Sequence, residues 1–166
     1  MINGSGVLGA GSSFTIATGV VQLTPVWVFR RMNLLSIAVR LFPGGGTGNI
    51  RIGLYSNNGN TPAGGLLIYD SGNLPVTAAD QTITATPAQT ISLQAGIYWI
   101  AVQPQVSKDF YANQLLPHFS DLTGEAFNAS TFTLPAYGPF PSKVPRVTAN
   151  VGTFLINFNM RVTIPQ

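Results

Sequence analysis

The C-terminal stretch of this 166-residue chain alternates with a period of two. Phe154, Ile156, Phe158, Met160, Val162 and Ile164 are apolar, and Asn157, Asn159, Arg161 and Thr163 between them are polar, with Leu155 the exception. Successive side chains of a strand point to opposite faces, so this pattern predicts a long half-buried strand, one face to the core and one to water or a partner. The same alternation recurs at Ile50, Ile52 and Leu54, and at Leu35, Ile37, Val39 and Leu41. Ile97-Tyr98-Trp99-Ile100-Ala101-Val102 is apolar on both faces and reads as a central strand. No long stretch carries a helix-period stripe with caps.

Gly44-Gly45-Gly46-Thr47-Gly48, Asn57-Asn58-Gly59-Asn60 and Ala63-Gly64-Gly65 supply the residues that tolerate tight reversal. Between such signals, strands are predicted at about 13–23, 26–42 (in two pieces), 49–56, 65–71, 81–93, 96–103, 130–134 and 147–164. The expected fold class is all-β: a two-sheet antiparallel β-sandwich of jelly-roll type with about eight strands. An immunoglobulin-like sandwich is the alternative architecture. Residues 1–12, glycine-rich with few anchors, read as a flexible arm, and residues 13–166 as one sandwich domain. A Pro- and aromatic-rich excursion at 104–147 holds Phe110, Tyr111, Phe119, Phe127, Phe132, Tyr137 and Phe140. Those rings need cover, either over the chain's own core or against a neighbouring subunit.

Chemistry is scarce. The chain has eight Lys and Arg, five Asp and Glu, one His and no Cys, so 8% of it is charged while 45% is hydrophobic. Ordinary soluble domains carry about 25% charged residues. Without cysteine there is no disulfide, thiolate catalysis or Cys-ligated metal. The cations form no patch beyond the pair Arg30-Arg31, which argues against nucleic acid as a partner. The start Met1-Ile2-Asn3-Gly4-Ser5 lacks the pattern of a signal peptide, and no charge-free apolar run is long enough for a membrane helix. His118, Ser120 and Asp121 have the atom types of a hydrolase triad but lie almost consecutively in a Pro-flanked loop, where they cannot orient one another. Glu125 is the only Glu and Asp70, Asp80, Asp109 and Asp121 are scattered, with no spacing that suggests a glycosidase pair. Asn57, Asn58, Asn60 and Asp70 have calcium-ligand chemistry but no calcium-loop pattern, and turn formation accounts for the Asn residues. The chain is therefore expected to be non-enzymatic, with no cofactor and no metal. Trp27 and Trp99 sit in apolar runs that favour a core position. Tyr55, Tyr69, Tyr111 and Tyr137 are freer to face a ligand. Asn3-Gly4-Ser5 and Asn128-Ala129-Ser130 fit the glycosylation tripeptide, a pattern that arises readily by chance.

The most specific stretch is IRIGLYSNNGNTPAGGLLIYDSG followed by TPAQTISLQAGIYWIAVQ, within residues 50–103. Ile52, Leu54, Tyr55, Ser56, Asn58, Gly59, Pro62 and Gly64, then Leu93, Ala95, Gly96, Tyr98 and Trp99, carry the pattern. It resembles a recurrent β-sandwich module of phage structural proteins and secreted bacterial proteins, over about a third of the chain. The resemblance implies a presentation or adhesion module with no catalytic residues, and Trp99 filling the inter-sheet core. With the weakly charged surface, it leads to the expectation of a virion structural protein. That protein would be a bacteriophage capsid decoration (cement) protein, trimeric, on the outer capsid surface against the major capsid protein. The alternative is a receptor- or glycan-binding module of a tail fibre or spike. A bacterial adhesion module is a third reading. Candidate interface residues are Val7, Leu8, Phe110, Tyr111, Phe119, Tyr137, Phe140, Asn157, Asn159 and Arg161.

Overall fold

The computed structural model describes residues 2–3, 13–59, 61–114, 129–149, 154–156 and 158–165. They form strands β1 (Ile2–Asn3), β2 (Ser13–Ile16), β3 (Val20–Val28), β4 (Met32–Leu41), β5 (Gly48–Ser56), β6 (Leu67–Asp70), β7 (Leu74–Val76), β8 (Gln81–Ala85), β9 (Ile91–Leu93), β10 (Gly96–Pro104), β11 (Lys108–Gln114), β12 (Ser130–Thr133), β13 (Thr148–Ala149), β14 (Phe154–Ile156) and β15 (Phe158–Thr163). Every pairing is antiparallel. One sheet runs β1-β15-β4-β11-β14, with β8 and β9 also on β4 and β2 on β11. The other runs β13-β12-β3-β10-β5-β6, with β7 on β5. The protein is thus a two-sheet antiparallel β-sandwich, and the chain crosses between sheets at most long connections. The described strands outnumber the eight expected, because turns and bends cut single predicted runs into short pieces.

The inter-sheet core takes one face of each sheet. β4 gives Leu34, Ile37, Val39 and Leu41; β15 gives Phe158 and Met160; β11 gives Phe110. From the second sheet come Ile50, Ile52 and Leu54 of β5, and Tyr98, Ile100 and Val102 of β10. The C-terminal alternation therefore holds from Ile156 to Val162, with Asn159 and Arg161 facing away from the core, and ends at Ile164, which lies beyond β15 and is exposed. The β4 alternation fails at one point. Arg161 pairs with Ser36 but Val162 pairs with Leu34, so Leu35 is an extra residue in β4. Such a bulge flips the side-chain phase, and it is Leu34, not Leu35, that enters the core.

β10 is buried on both faces. Its second face, with Trp99 and Ala101, joins Val21, Leu23, Tyr55, Phe132, Phe140 and Val144 in a separate apolar cluster on the outside of the second sheet. Trp99 therefore lies outside the inter-sheet core, under a layer built by residues 134–147. That layer is the last part of the predicted excursion, and it covers the protein's own sheet. The excursion also contains two regular strands, β11 and β12, which belong to the two sheets and make that part of it integral to the sandwich. Of the predicted arm, Ile2 and Asn3 pair with Met160 and Asn159 at the edge of β15.

Candidate functional site

The outer layer is fastened by polar bonds at several points. The Tyr55 hydroxyl donates to the Pro141 carbonyl (2.9 Å), the Phe140 N–H to Asp70 Oδ2 (3.1 Å), and Gln103 Nε2 to the Ala136 carbonyl (3.3 Å). Backbone bonds from Leu67 N–H to the Ser142 carbonyl and from Val144 N–H to the Gly65 carbonyl, each 2.9 Å, lay this segment along the chain leading into β6. Asp70 is the hub. Arg51 donates to it through Nε (3.1 Å) and Nη2 (2.9 Å), and Gly72 N–H adds a third bond (3.0 Å). Burial raises the Tyr55 pKa, with the Asp70 charge adding to the shift, so its hydroxyl stays a donor.

The resembling stretch is explained by this scaffold. Ser56 N–H donates to the Leu66 carbonyl and the Ser56 Oγ accepts the Leu66 N–H (both 2.9 Å). Asn58 Nδ2 donates to the Ala63 carbonyl (3.0 Å), and Gly59 and Gly64 hold positive φ. Trp99 Nε1 donates to Asn57 Oδ1 (2.9 Å). Asn57, Asn58 and Asp70 are thus engaged by the protein itself. Asn60 lies outside the described residues, among which no cluster of acidic and His side chains could hold a metal ion. His118, Ser120, Asp121 and Glu125 also lie outside them.

The candidate interface residues separate into three groups. Phe110 and Phe140 are buried within the protomer, in the inter-sheet core and the outer cluster respectively, so neither presents a surface to a partner. The correction has a simple cause: Phe110 belongs to a strand rather than a loop, and Phe140 plugs the sheet beside Tyr55, their ring centroids 6.2 Å apart. Tyr111, Tyr137, Asn159 and Arg161 are partly or fully exposed. Val7, Leu8, Phe119 and Asn157 lie outside the described residues.

Tyr111 belongs to a surface cluster at the end of the sandwich where β4 finishes. Arg40 grips Asp80 through Nε (3.3 Å) and Nη2 (2.9 Å), and the Tyr111 hydroxyl donates to Asp80 Oδ2 (3.2 Å). The guanidinium lies 4.3 Å from the Tyr111 ring centroid, and Phe42 meets that ring edge-on at 4.9 Å. The hydrogen bonds from Arg40 hold the Asp80 carboxyl below the usual range and raise the Arg40 pKa in return. These charges satisfy one another within the protomer.

The opposite end, where β3 passes into β4, is different. Trp27, near the end of β3, and Phe29, the first residue beyond it, stack with near-parallel rings, 6.1 Å between centroids and 13° between planes. The outer layer covers Trp99 and Tyr55 but stops short of this pair. Trp27 is only half-buried and Phe29 is 74% exposed. The expectation that Trp27 is a core residue is therefore corrected: β3 turns its outer face to the surface here. Arg30 and Arg31 follow directly, both exposed. Arg31 Nε donates to Ser92 Oγ (3.2 Å), and neither guanidinium has a carboxylate partner among the described residues. Asp80 and Asp109 lie at the far end, and Asp70 is engaged by Arg51 mid-sheet. Ile164, also exposed, lies just beyond the Thr163–Asn33 pair on the same end. Sequence reading missed this aromatic pair, although Trp27 and Phe29 are spaced for one strand face and abut Arg30-Arg31. Comparison of the chain with protein-family models and with curated proteins finds no match.

Proposed function

We propose that this protein is a non-enzymatic structural module of a virus particle, a capsid decoration protein that bridges and stabilises shell subunits of a bacteriophage. The observation that carries this reading is the surface. It has few charges, two of its ion pairs are internal to the protomer, and Phe29, Leu35, Leu66 and Ile164 leave large apolar side chains exposed. Surfaces poor in charge with exposed apolar groups suit permanent contact with a partner, each standard contact burying about 1,600 Å². The partner in this reading is the major capsid protein, with the module acting as a homotrimer on the outer capsid surface. Backbone pairing at the edge of β15, where the described residues of β1 cover two positions, is one route by which a neighbour could add a strand. The copy number of the protein per purified particle, relative to the major shell protein, tests the reading. Hundreds of copies support it. A few to a few dozen place it in a tail or spike, and none overturns the virion assignment.

A second reading, a receptor- or glycan-binding module of a tail fibre or spike, is favoured by the half-buried Trp27 and exposed Phe29 beside two arginines that have no carboxylate partner among the described residues. It requires an exposed aromatic surface with polar groups at its border, and the β3–β4 end supplies one.

A further inference from the structure

We propose that the β3–β4 end is a binding site for an acidic saccharide, with Trp27 and Phe29 as the stacking surface and Arg30 and Arg31 as the carboxylate or sulfate ligands; this rests on the glycan-binding reading. A pyranose ring offers a face of C–H groups that packs on the electron-rich face of an aromatic ring, and two near-parallel rings two residues apart at the end of β3 give such a surface length and direction. Trp27 is positioned by β-structure, paired with Ile97 of the central strand; Phe29 directly follows Val28, whose pairing with Gly96 ends the ladder, and it stacks on the Trp27 ring. A surface fixed in this way loses little entropy on binding.

The charge argument selects an acidic sugar over a neutral one. Among the described residues Arg30 and Arg31 have no carboxylate partner, whereas Arg40 and Arg51 each hold one in a bidentate grip. Arginine forks match carboxylate and sulfate oxygens in that same geometry. The acidic side chains of the described residues, Asp70, Asp80 and Asp109, stand elsewhere on the sandwich. Gln94, exposed in the turn before β10, and Ser92 add uncharged hydrogen-bonding groups at the border.

The test is a saccharide array read with the intact protein, carrying oligogalacturonate, sialylated and sulfated glycans beside neutral hexose oligomers. It is repeated with Phe29→Ala, with Arg30→Gln/Arg31→Gln, and with Leu66→Ser as a control elsewhere on the surface. Because Phe29 and Arg30 are exposed, these changes spare the core, and unchanged circular dichroism verifies folding. The expected result is binding of acidic glycans, weakened about tenfold or more by either site variant and by raised salt, with the Leu66 variant unaffected. Acidic-glycan binding that survives both site variants overturns the site while leaving the glycan reading standing. Equal binding of neutral sugars, indifferent to the arginine changes, overturns the acidic specificity. No binding to any glycan overturns both. If the same variants instead abolish attachment to particles without any glycan signal, this end is a protein interface and the proposal fails.

Discussion

Single residues decide the local geometry of this sandwich in ways that composition hides. A Cβ on Gly65 would stand 2.1 Å from the Ser56 carbonyl oxygen and 2.9 Å from that of Pro62. Both are backbone atoms and cannot swing aside. Gly65→Ala is therefore expected to cost about 3 kcal/mol or more in chemical denaturation. Gly59 isolates the other source of glycine dependence: its φ is +66° but a Cβ there meets nothing within 4 Å, so Gly59→Ala should cost only about 1–2 kcal/mol. Equal losses for the two variants would refute the steric account. Lys108 is a third deciding residue. It is wholly buried, and its ammonium donates to the carbonyls of Gly44 (2.5 Å) and Thr77 (2.7 Å), tying two loops to the start of β11. Lys108→Met keeps the stem but orphans both carbonyls, an expected loss of about 1–3 kcal/mol near neutral pH. Burial holds the Lys108 pKa below its ordinary value of 10.5, against a smaller upward pull from Asp109. Between the folded and ordinary values the unfolded chain binds more protons, so this group makes stability rise with pH across that window. Urea titrations at rising pH below 10.5 should show that rise in the parent protein and a smaller one in Lys108→Met. Parallel profiles would remove Lys108 from the explanation.

At the scale of elements, what was legible in the sequence depended on which face of a strand meets which layer. The alternation of β15 was legible because one side meets the core and the other meets solvent. β3 misleads for the opposite reason. Its apolar Val21 and Leu23 belong to the outer cluster, while Gln22 and Thr24 point into the inter-sheet space, buried and with no hydrogen-bond partner in the structure. A polar–apolar alternation cannot say which of two buried faces is which, so neither the outer layer nor the place of Trp99 could be read from it. The bulge at Leu35 was hidden because an extra residue between two apolar positions leaves the composition of the run unchanged. The aromatic end at Trp27 and Phe29 was hidden because a surface pair has the same spacing as a core pair. The Gln22 arrangement makes its own prediction. Gln22→Leu removes two unsatisfied polar atoms at similar volume and should raise stability by about 1 kcal/mol in thermal or chemical unfolding. A loss instead would mean that the amide is satisfied by an internal water. The outer layer predicts a separable response. Phe140→Ala should cost about 3–5 kcal/mol and unseat the segment covering Trp99, shifting tryptophan emission to the red before global unfolding. A single transition with no early shift would show that layer and sandwich unfold as one unit.

Over the whole molecule, the pairings that close the sandwich join distant parts of the chain. β4 pairs with β15 from Phe158–Val39 to Thr163–Asn33, β3 pairs with β10, and β12 lies against the start of β3. The first sheet therefore has its central strand flanked on one side only when the last part of the chain arrives. Loop closure over such separations must be met before the contacts reward it, which places refolding in the millisecond-to-second range or slower. Removing residues 154–166 takes away β14 and β15 together, leaving Ile37 and Val39 without Met160 and Phe158 beside them and β4 with an unpaired edge. The truncated chain is expected to lose its cooperative thermal transition and to aggregate through that edge, since an unpaired apolar strand is a template for another chain. Cooperative unfolding of the truncated form near the parent midpoint would mean that the core of β4, β5 and β10 is sufficient by itself. The same experiment bears on assembly. A module whose final strand both closes its own sheet and lies next to that sheet's edge, behind the short β1, has its stability and its intermolecular contacts coupled through one element. Substituting Arg161, which faces outward from that strand, with Asp should leave the unfolding midpoint within about 0.5 kcal/mol of the parent. Any change in particle attachment it causes then reports on contact alone.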